Sequence, residues 1–522
     1  MKKNETYIIS NPRSNTALIT SISKIFLNKQ GAKKVIERVY FDTFDWKLYK
    51  NGYSLFRCEN SYKLMDLKSE AICIEQIITK SNVPKFWWDF PNDRLRNSLK
   101  KTIDLRALIR TVKTEIVQKF IRILNKDEKT VAKLSLNSVY LIENKKKKLL
   151  TNQLKVIQVK GYPKPFRRVC NHLANYNLEI EQRPLPLLAF EGAGHRFDCY
   201  TLKINERLSP VLNINVALKK VLKYSLEIIK INESGIKHDL DTEFLHEFRI
   251  AIRKTRSTLS QIKDIFPTQI VNQVKNDFST IGHFTNYLRD LDVYLLKEKE
   301  YLAKLPKELQ TGLSPLFDYL SVERKKEHQQ VLKFLESDFY SQAIKSWAVF
   351  LNSSNVSSSN DVPDGNYTAL KVARINLKKK HNQILNIGRS IHDETPDERI
   401  HKLRLACKQL RYLLEIFSSL FSSKKIVILS KQLKKLQDNL GLFTNYSVQI
   451  TMLKNYLDKL ILNKKNSVLE TAAIGVLISE LNHEKKNVRN AFQREFKHFS
   501  AKININLFRA LLSNNKKEAI KI

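Results

Sequence analysis

The stretch His246-Glu-Phe-Arg249-Ile-Ala-Ile-Arg253-Lys-Thr-Arg256 decides the fold, because the chain carries it twice. The second copy is His401-Lys-Leu-Arg404-Leu-Ala-Cys-Lys408-Gln-Leu-Arg411, and every pair of positions differs by 155. Downstream, Leu288-Arg-Asp290-Leu-Asp292-Val293 falls opposite Phe443-Thr-Asn445-Tyr-Ser-Val448 at the same offset. Upstream, Lys219 and Lys223 fall opposite Arg374 and Lys378. One offset, held on both sides of the unrelated stretch Ser353 to Asn366, marks an internal duplication. From about residue 212 the segments have helical period and few breakers. The duplicated module is therefore expected to be all-α over 212–510, with repeat one at 212–352, a linker at 353–366 and repeat two at 367–510.

The repeated helix has two faces. His246, Arg249, Arg253 and Arg256 stand at i, i+3, i+7 and i+10, within roughly 80° of the circumference at 100° per residue. His401, Arg404, Lys408 and Arg411 trace the same stripe. On another face run Phe248, Ile252, Thr255, Leu259, Ile262 and Phe266, matched by Leu403, Cys407, Leu410, Leu414, Phe417 and Phe421. Spacing of 4-3-4-3-4 makes these the seam of an antiparallel bundle. Like charges at i and i+3 or i+4 repel by a few tenths of a kcal/mol per pair. A stripe kept in both copies therefore costs stability. Either it is a solvated face, or Asp290, Asp292 and Glu415 pair with it internally, or it holds an anion. Arginine favours the anion, since its fixed fork grips phosphate oxygens in a bidentate way. The sequence gives neither histidine a His or Cys partner at ligand spacing, so no metal is expected.

Composition agrees with an anionic partner. There are 91 Lys and Arg against 52 Asp and Glu, a net charge of +39 in 522 residues. The surplus is spread along the chain rather than held in a tail. Such a field raises encounter rates with anions without choosing among nucleic acid, anionic lipid and phosphate polymers. Five cysteines (Cys58, Cys73, Cys170, Cys199, Cys407) without a CxxC pair fit a reducing compartment rather than a disulfide framework. The N-terminus turns polar before an apolar segment forms, and no apolar run nears the ~18 residues of a membrane span. A cytoplasmic protein with no membrane association is expected.

The repeated motif resembles the conserved histidine α-helical domain, CHAD, whose pattern "LH..R...K.LRY.LE" is used twice. LHEFRIAIRKTRSTL and IHKLRLACKQLRYLLEIF match it, and Leu433 to Gly441 (LKKLQDNLG) resembles a later helix of that family. The resemblance implies two pseudo-twofold-related four-helix bundles. It also implies a central basic cleft that binds inorganic polyphosphate without catalysis or cofactor. The binding residues expected are His246, Arg249, Arg253, Arg256, His401, Arg404, Lys408 and Arg411, with Lys223 and Lys378.

Residues 1–205 read as mixed α and β, with strand-like YIIS, ERVYFDT, AICIEQIIT and KVIQV and a helix-compatible Pro165 to Tyr176. Tyr40-Phe-Asp-Thr43-Phe-Asp45, with Leu48, Gly52 and Leu55, resembles the CYTH (triphosphate tunnel) family, as does Asp66-Leu67-Lys68. An α+β domain with a degenerate CYTH-like β-barrel is implied. Where that family places ExExK this chain has Glu5, Tyr7 and Ile9, and where it places two arginines the register gives Phe56 and Cys58. Asn137 stands for an Asp, and Lys155-Val-Ile-Gln-Val159 replaces an acidic strand. A divalent metal needs several carboxylate oxygens, so the domain is expected to be catalytically silent. Two alternatives stay open: a non-specific RNA- or DNA-binding protein, and a residual triphosphate-processing enzyme. Polyphosphate as partner carries with it an expected place at polyphosphate granules.

Overall fold

The structure, a computed structural model, describes residues 4–9, 12–78, 83–91, 93–144, 146–176, 178–195, 197, 207–353, 367–462 and 467–513. The chain divides into two compact units, Met1–Thr201 and Leu202–Ile522. Within the expected linker only Ser353 is described, and residue 205, the expected domain end, lies outside the described residues.

Unit one is built on nine antiparallel strands in a single sheet: β1 Asn4–Ile8, β2 Asn28–Asp42, β3 Tyr53–Cys58, β4 Ser61–Asp66, β5 Ile72–Ile77, β6 Ile109–Leu124, β7 Thr130–Glu143, β8 Lys146–Gln158 and β9 Glu179–Ile180. Their order is β5-β4-β3-β2-β6-β7-β8-β1-β9, and no ladder joins the two edges among the described residues. Among the described residues five α-helices accompany it: α1 Pro12–Ile25, α2 Lys47–Lys50, α3 Asp93–Ile103, α4 Pro163–Ala174 and α5 Leu185–Gly192. Alternation decides which strand residues go inward. Ile121, Leu134, Leu154 and Val156 pack with Leu18 and Ile22 of α1 and Val169 and Leu173 of α4. Elsewhere Phe41, Leu55 and Leu64 pack with Leu95, Leu99 and Ile103 of α3. Asp42, from the YFDTFD motif, is buried. Its carboxylate accepts the backbone N–H groups of Thr43, Leu48 and Tyr49 at 2.7, 2.9 and 2.9 Å, which fastens the start of α2.

Unit two is helical. Its first part holds α6 Ile214–Lys237, α7 Thr242–Gln261, α8 Thr268–Phe284, α9 Asn286–Leu296, α10 Glu298–Ala303, α11 Lys307–Gln310, α12 Ser314–Leu335 and α13 Asp338–Asn352. Its second holds α14 Ala369–Arg389, α15 Asp397–Ile416, α16 Ser423–Leu462, α17 Val468–Phe499 and α18 Lys502–Leu512. The start of α14 lies 155 residues after that of α6, and both ends of α15 lie 155 after those of α7. The offset read from side chains is thus also the offset of the backbone.

The seam lies where its period put it. Phe248, Ile252, Thr255, Leu259, Ile262 and Phe266 are all buried, as are Leu403, Cys407, Leu410, Leu414 and Phe417. Phe421 is only half-buried, because α15 has ended at Ile416 and the chain turns away. The repeats are not separate bundles throughout. Leu291 and Tyr294 of α9 and Leu316, Phe317 and Leu320 of α12 share one apolar cluster with Leu453 and Tyr456 of α16 and Ile474 and Leu477 of α17. Two cavities show the repeats exchanging roles. One of about 570 Å³ is lined by Tyr224, Lys254, Glu415 and Ser418. The other, of about 310 Å³, is lined by Lys379, Gln409, Ser260 and Lys263, each 155 positions from its counterpart.

Candidate anion-binding site

The duplicated helices α7 and α15 pack against each other, and their basic stripes meet there. Arg253 of α7 stands close enough to Arg404 and Lys408 of α15 to lower the pKa of both. Burial, followed by Arg404, Arg253 and Arg411, pushes Lys408 down to about 7. Burial, then Arg404 and Lys408, also lowers His401. A cluster of cations that depress one another in a half-buried setting is the electrostatic form of an anion site.

The stripe residues are not equivalent. Arg249 is fixed inside the protein: its Nη1 donates to the Gly282 carbonyl at 3.0 Å and to Thr285 Oγ1 at 2.8 Å, and its Nη2 donates to Asn286 Oδ1. These groups lie at the junction of α8 and α9, where the Thr285 hydroxyl also donates back to the Ile281 carbonyl. In repeat two the matching positions are Gln437, Leu440 and Gly441. Neither Leu440 nor Gly441 has a side chain that accepts a hydrogen bond, and the helix runs through unbroken as α16. Arg249 is consequently a structural fastener, while its counterpart Arg404 lies within electrostatic reach of Arg253.

Internal pairing accounts for part of the rest. Glu415 stands 3.4 Å from Arg411 and 3.8 Å from Lys254, the latter bridging α15 to α7. Asp292 is buried and pairs with Arg324 at 2.8 Å instead of with the stripe. Asp290 faces Arg249 and Arg289. Among the described residues, Arg253, Arg256, Arg404 and Lys408 have no carboxylate partner. Lys223 and Lys378 do not join them. Lys223 adjoins Lys219, whose Nζ donates to the Ser353 carbonyl at 2.9 Å and lies over the Phe350 ring. Lys378 lines a different groove, against α18.

His246 has surroundings that spacing to His and Cys alone did not reveal. Its ring lies with the carboxylates of Glu243 and Glu247, all potential ligand atoms within 4.8 Å of one another. The signal was in the sequence as Glu-x-x-His-Glu, two carboxylates on the same face as the histidine. Repeat two has Glu398, His401 and Lys402 there and lacks the third acid. Arg289 stands 3.7 Å from Glu243, so one of the two carboxylates already has a cationic partner.

In unit one the positions of interest are occupied as follows. Tyr7, Ile9 and Phe56 are core residues, and the Tyr7 hydroxyl donates to Glu5 at 2.5 Å. Asn137 Oδ1 accepts from Gln118 at 3.1 Å and from Ser135 at 2.8 Å. Lys155 pairs with Glu70 at 2.9 Å. Cys58, Cys73, Cys170 and Cys407 are free thiols, and Cys199 lies outside the described residues. Among the described residues no helix is long and apolar enough to cross a membrane.

Comparison with known proteins adds the following. The family model for the CHAD domain matches residues 220–454. Among solved structures, the CHAD domain of the plant Ricinus communis is 21% identical with a TM-score of 0.48, covering 56% of this chain and 94% of that one. PptA from Streptomyces chartreusis is 15% identical with a TM-score of 0.44, covering 55% of this chain and 100% of that one. The putative adenylyl cyclase HpAC1 from Hippeastrum, described as having a dominant triphosphatase activity, is 10% identical with a TM-score of 0.26, covering 36% and 94%. No curated protein matches this chain.

Proposed function

The helical unit carries a CHAD domain over residues 220–454, and from that premise we propose that it binds inorganic polyphosphate where α7 meets α15. One observation carries this: Arg253, Arg404 and Lys408 come together where the stripes meet, and they and Arg256 of the same stripe have no carboxylate partner among the described residues. A chain of phosphates supplies closely spaced negative charge along a flexible backbone, which suits cations drawn from two helices. Arginine forks would take its oxygens in pairs. No step of chemistry is assigned to this site. The N-terminal unit is proposed to be non-catalytic as well, since its family-like acidic positions carry Tyr7, Ile9, Asn137 and Lys155, and Phe56 stands where the family has an arginine. With such a ligand the expected location is the cytoplasm, at polyphosphate granules.

The test is binding of long-chain polyphosphate to the full protein across a salt series, beside RNA of matched charge. Four phosphate contacts give a log–log slope of about −3, by analogy with ~0.7 per contact for single strands. Arg253→Glu with Lys408→Glu should flatten the slope and cut affinity tenfold or more. Equal binding by that double variant, or stronger binding of RNA than of polyphosphate, would overturn the proposal.

A further inference from the structure

Lys378 was expected among the polyphosphate-binding residues beside the stripe, yet it lines a groove of its own. The groove runs between α14 and α18, has a volume of about 640 Å³, and is lined by Arg374, Lys378, Arg389 and Arg509 over a floor that includes Leu385 and Phe508. None of its lining residues is acidic. Neither helix that builds it contains an Asp or Glu anywhere: α14 is ALKVARINLKKKHNQILNIGR and α18 is KININLFRALL. Lys378, Arg389 and Arg509 have no ion-pair partner among the described residues. The Arg374 guanidinium donates to the Ser513 carbonyl at 3.3 Å.

The duplication supplies a control inside the same chain. The matching surface of repeat one lies between α6 and α13, and there the charges are mixed and engaged. Glu227 stands at the position of Asn382, and Glu233 at that of Gly388. The Tyr340 hydroxyl donates to Glu233 at 2.5 Å, and Lys219 is held by Ser353. Repeat two has exchanged both acids for neutral residues, Lys219 for Arg374 and Ser234 for Arg389. Asn382 removes an acid from the groove and Arg389 adds a planar cation that has no ion-pair partner among the described residues, the arrangement suited to phosphate oxygens. Packing explains only Gly388, whose missing Cβ makes room for the Phe496 ring. The apolar floor has an electrostatic effect too. His381, buried, stacks on Phe508 at 3.9 Å, and a wall of such rings keeps water from one side of the cations and strengthens their attraction for an anion.

We infer that the α14–α18 groove is a second phosphate-binding site, distinct from the stripe, that takes a short run of phosphates from the same polymer. The inference rests on the polyphosphate reading of the module. Two sites on one unit would let a long chain be held at two points, so its affinity should exceed that of a short oligophosphate by far more than chain length alone provides.

The experiment is calorimetric titration of the full chain with tripolyphosphate, short enough to fill one site at a time. The parent should take up two per chain, and Arg389→Glu with Arg509→Glu should take up one. Arg253→Glu with Lys408→Glu should also take up one, through the groove. The milder pair Arg389→Gln and Arg509→Gln should likewise take up one, with an unchanged melting temperature that excludes misfolding as the cause. Two sites remaining in the groove variants would overturn the second site, as would a parent that takes up only one through the stripe; both leave the main proposal standing. No uptake by the parent would overturn both. Vesicles of phosphatidic acid that displace tripolyphosphate from the groove as well as soluble polyphosphate does would reassign the ligand to a lipid headgroup and overturn the polymer.

Discussion

Arg253 and Lys408 are the same position of the duplicated unit, 155 residues apart, and the fold brings them within electrostatic reach of each other between α7 and α15. Two cations related in this way repel, and no carboxylate offsets them among the described residues. The cost falls on Lys408, pushed down to about 7 by burial and by Arg404, Arg253 and Arg411. A site that holds its own charges apart in the free protein is relieved when an anion arrives. The consequences can be measured.

Binding should depend on pH through Lys408. Free, the amine titrates near 7; beside a bound polyanion the ammonium is favoured and its pKa climbs toward the ordinary ~10.4. Binding therefore takes up a proton above neutrality, and affinity should fall as pH rises from 7, approaching about tenfold per unit. Lys408→Arg, whose guanidinium stays charged, should flatten that profile. Stability runs the other way. The unfolded lysine binds its proton up to ~10.4 and the folded one only to about 7, so stability should rise with pH across that window. A parent whose affinity does not change between pH 6.5 and 8.5 would contradict the assignment.

Arg249 and Arg253 should separate cleanly. Arg249 donates to Gly282, Thr285 and Asn286 and ties α7 to the α8–α9 junction, so Arg249→Ala removes three hydrogen bonds, two of them part-buried, at roughly 1–3 kcal/mol in all. Arg253→Ala removes a repelling charge whose one hydrogen bond among the described residues is to the Arg249 carbonyl on its own helix. The first should lower the melting temperature; the second should leave it level or raise it while weakening polyphosphate binding. Equal melting temperatures for the two variants would show that the Arg249 contacts contribute nothing.

How much of this was legible in the sequence follows from what period and offset can encode. Helix positions, the seam from Phe248 to Phe266 and the equivalence of α7 and α15 come from local spacing, and they read directly. Which cations stay unpaired depends on partners remote in sequence. Arg249 meets Gly282 and Thr285, and Asp292 goes to Arg324; no helical wheel reports either. Lys378 shares the offset of the stripe but sits on another face of the bundle, because an offset fixes equivalence and not direction. In unit one the long strands β6 and β7 were missed: in β6 Arg110, Lys113, Lys119 and Arg122 mask the alternation that its burial follows, and in β7 buried residues fall on both faces, so no two-residue period stands out.

The two repeats should unfold together. α9 and α12 of one and α16 and α17 of the other share a single apolar cluster. Leu453→Ala, in repeat two, should cost about 2–5 kcal/mol and should speed amide exchange in α6 and α7 of repeat one as much as in α14 and α15. Residues 212–352 and 367–510 made separately would each expose half of that cluster and should aggregate. Loss of protection confined to repeat two in the Leu453 variant would mean that the repeats fold independently.

His381 should set part of the acid limit of the helical unit. Burial, followed by the neighbouring Arg509, lowers its pKa from 6.5 to about 4. The unfolded chain binds this proton throughout the interval from 6.5 down to 4 and the folded chain does not, so stability is lost as pH falls through that window. Complete titration would cost at most roughly 3.5 kcal/mol, at about 1.4 kcal/mol per pKa unit. His381→Phe keeps a ring against Phe508 and carries no proton to gain. Its denaturant midpoint should stay nearly constant from pH 6.5 to 4.5, where the parent's declines. If parent and variant lose stability in parallel, His381 is protonated without penalty, the pocket around it admits water, and the dry floor assigned to the α14–α18 groove is lost with it.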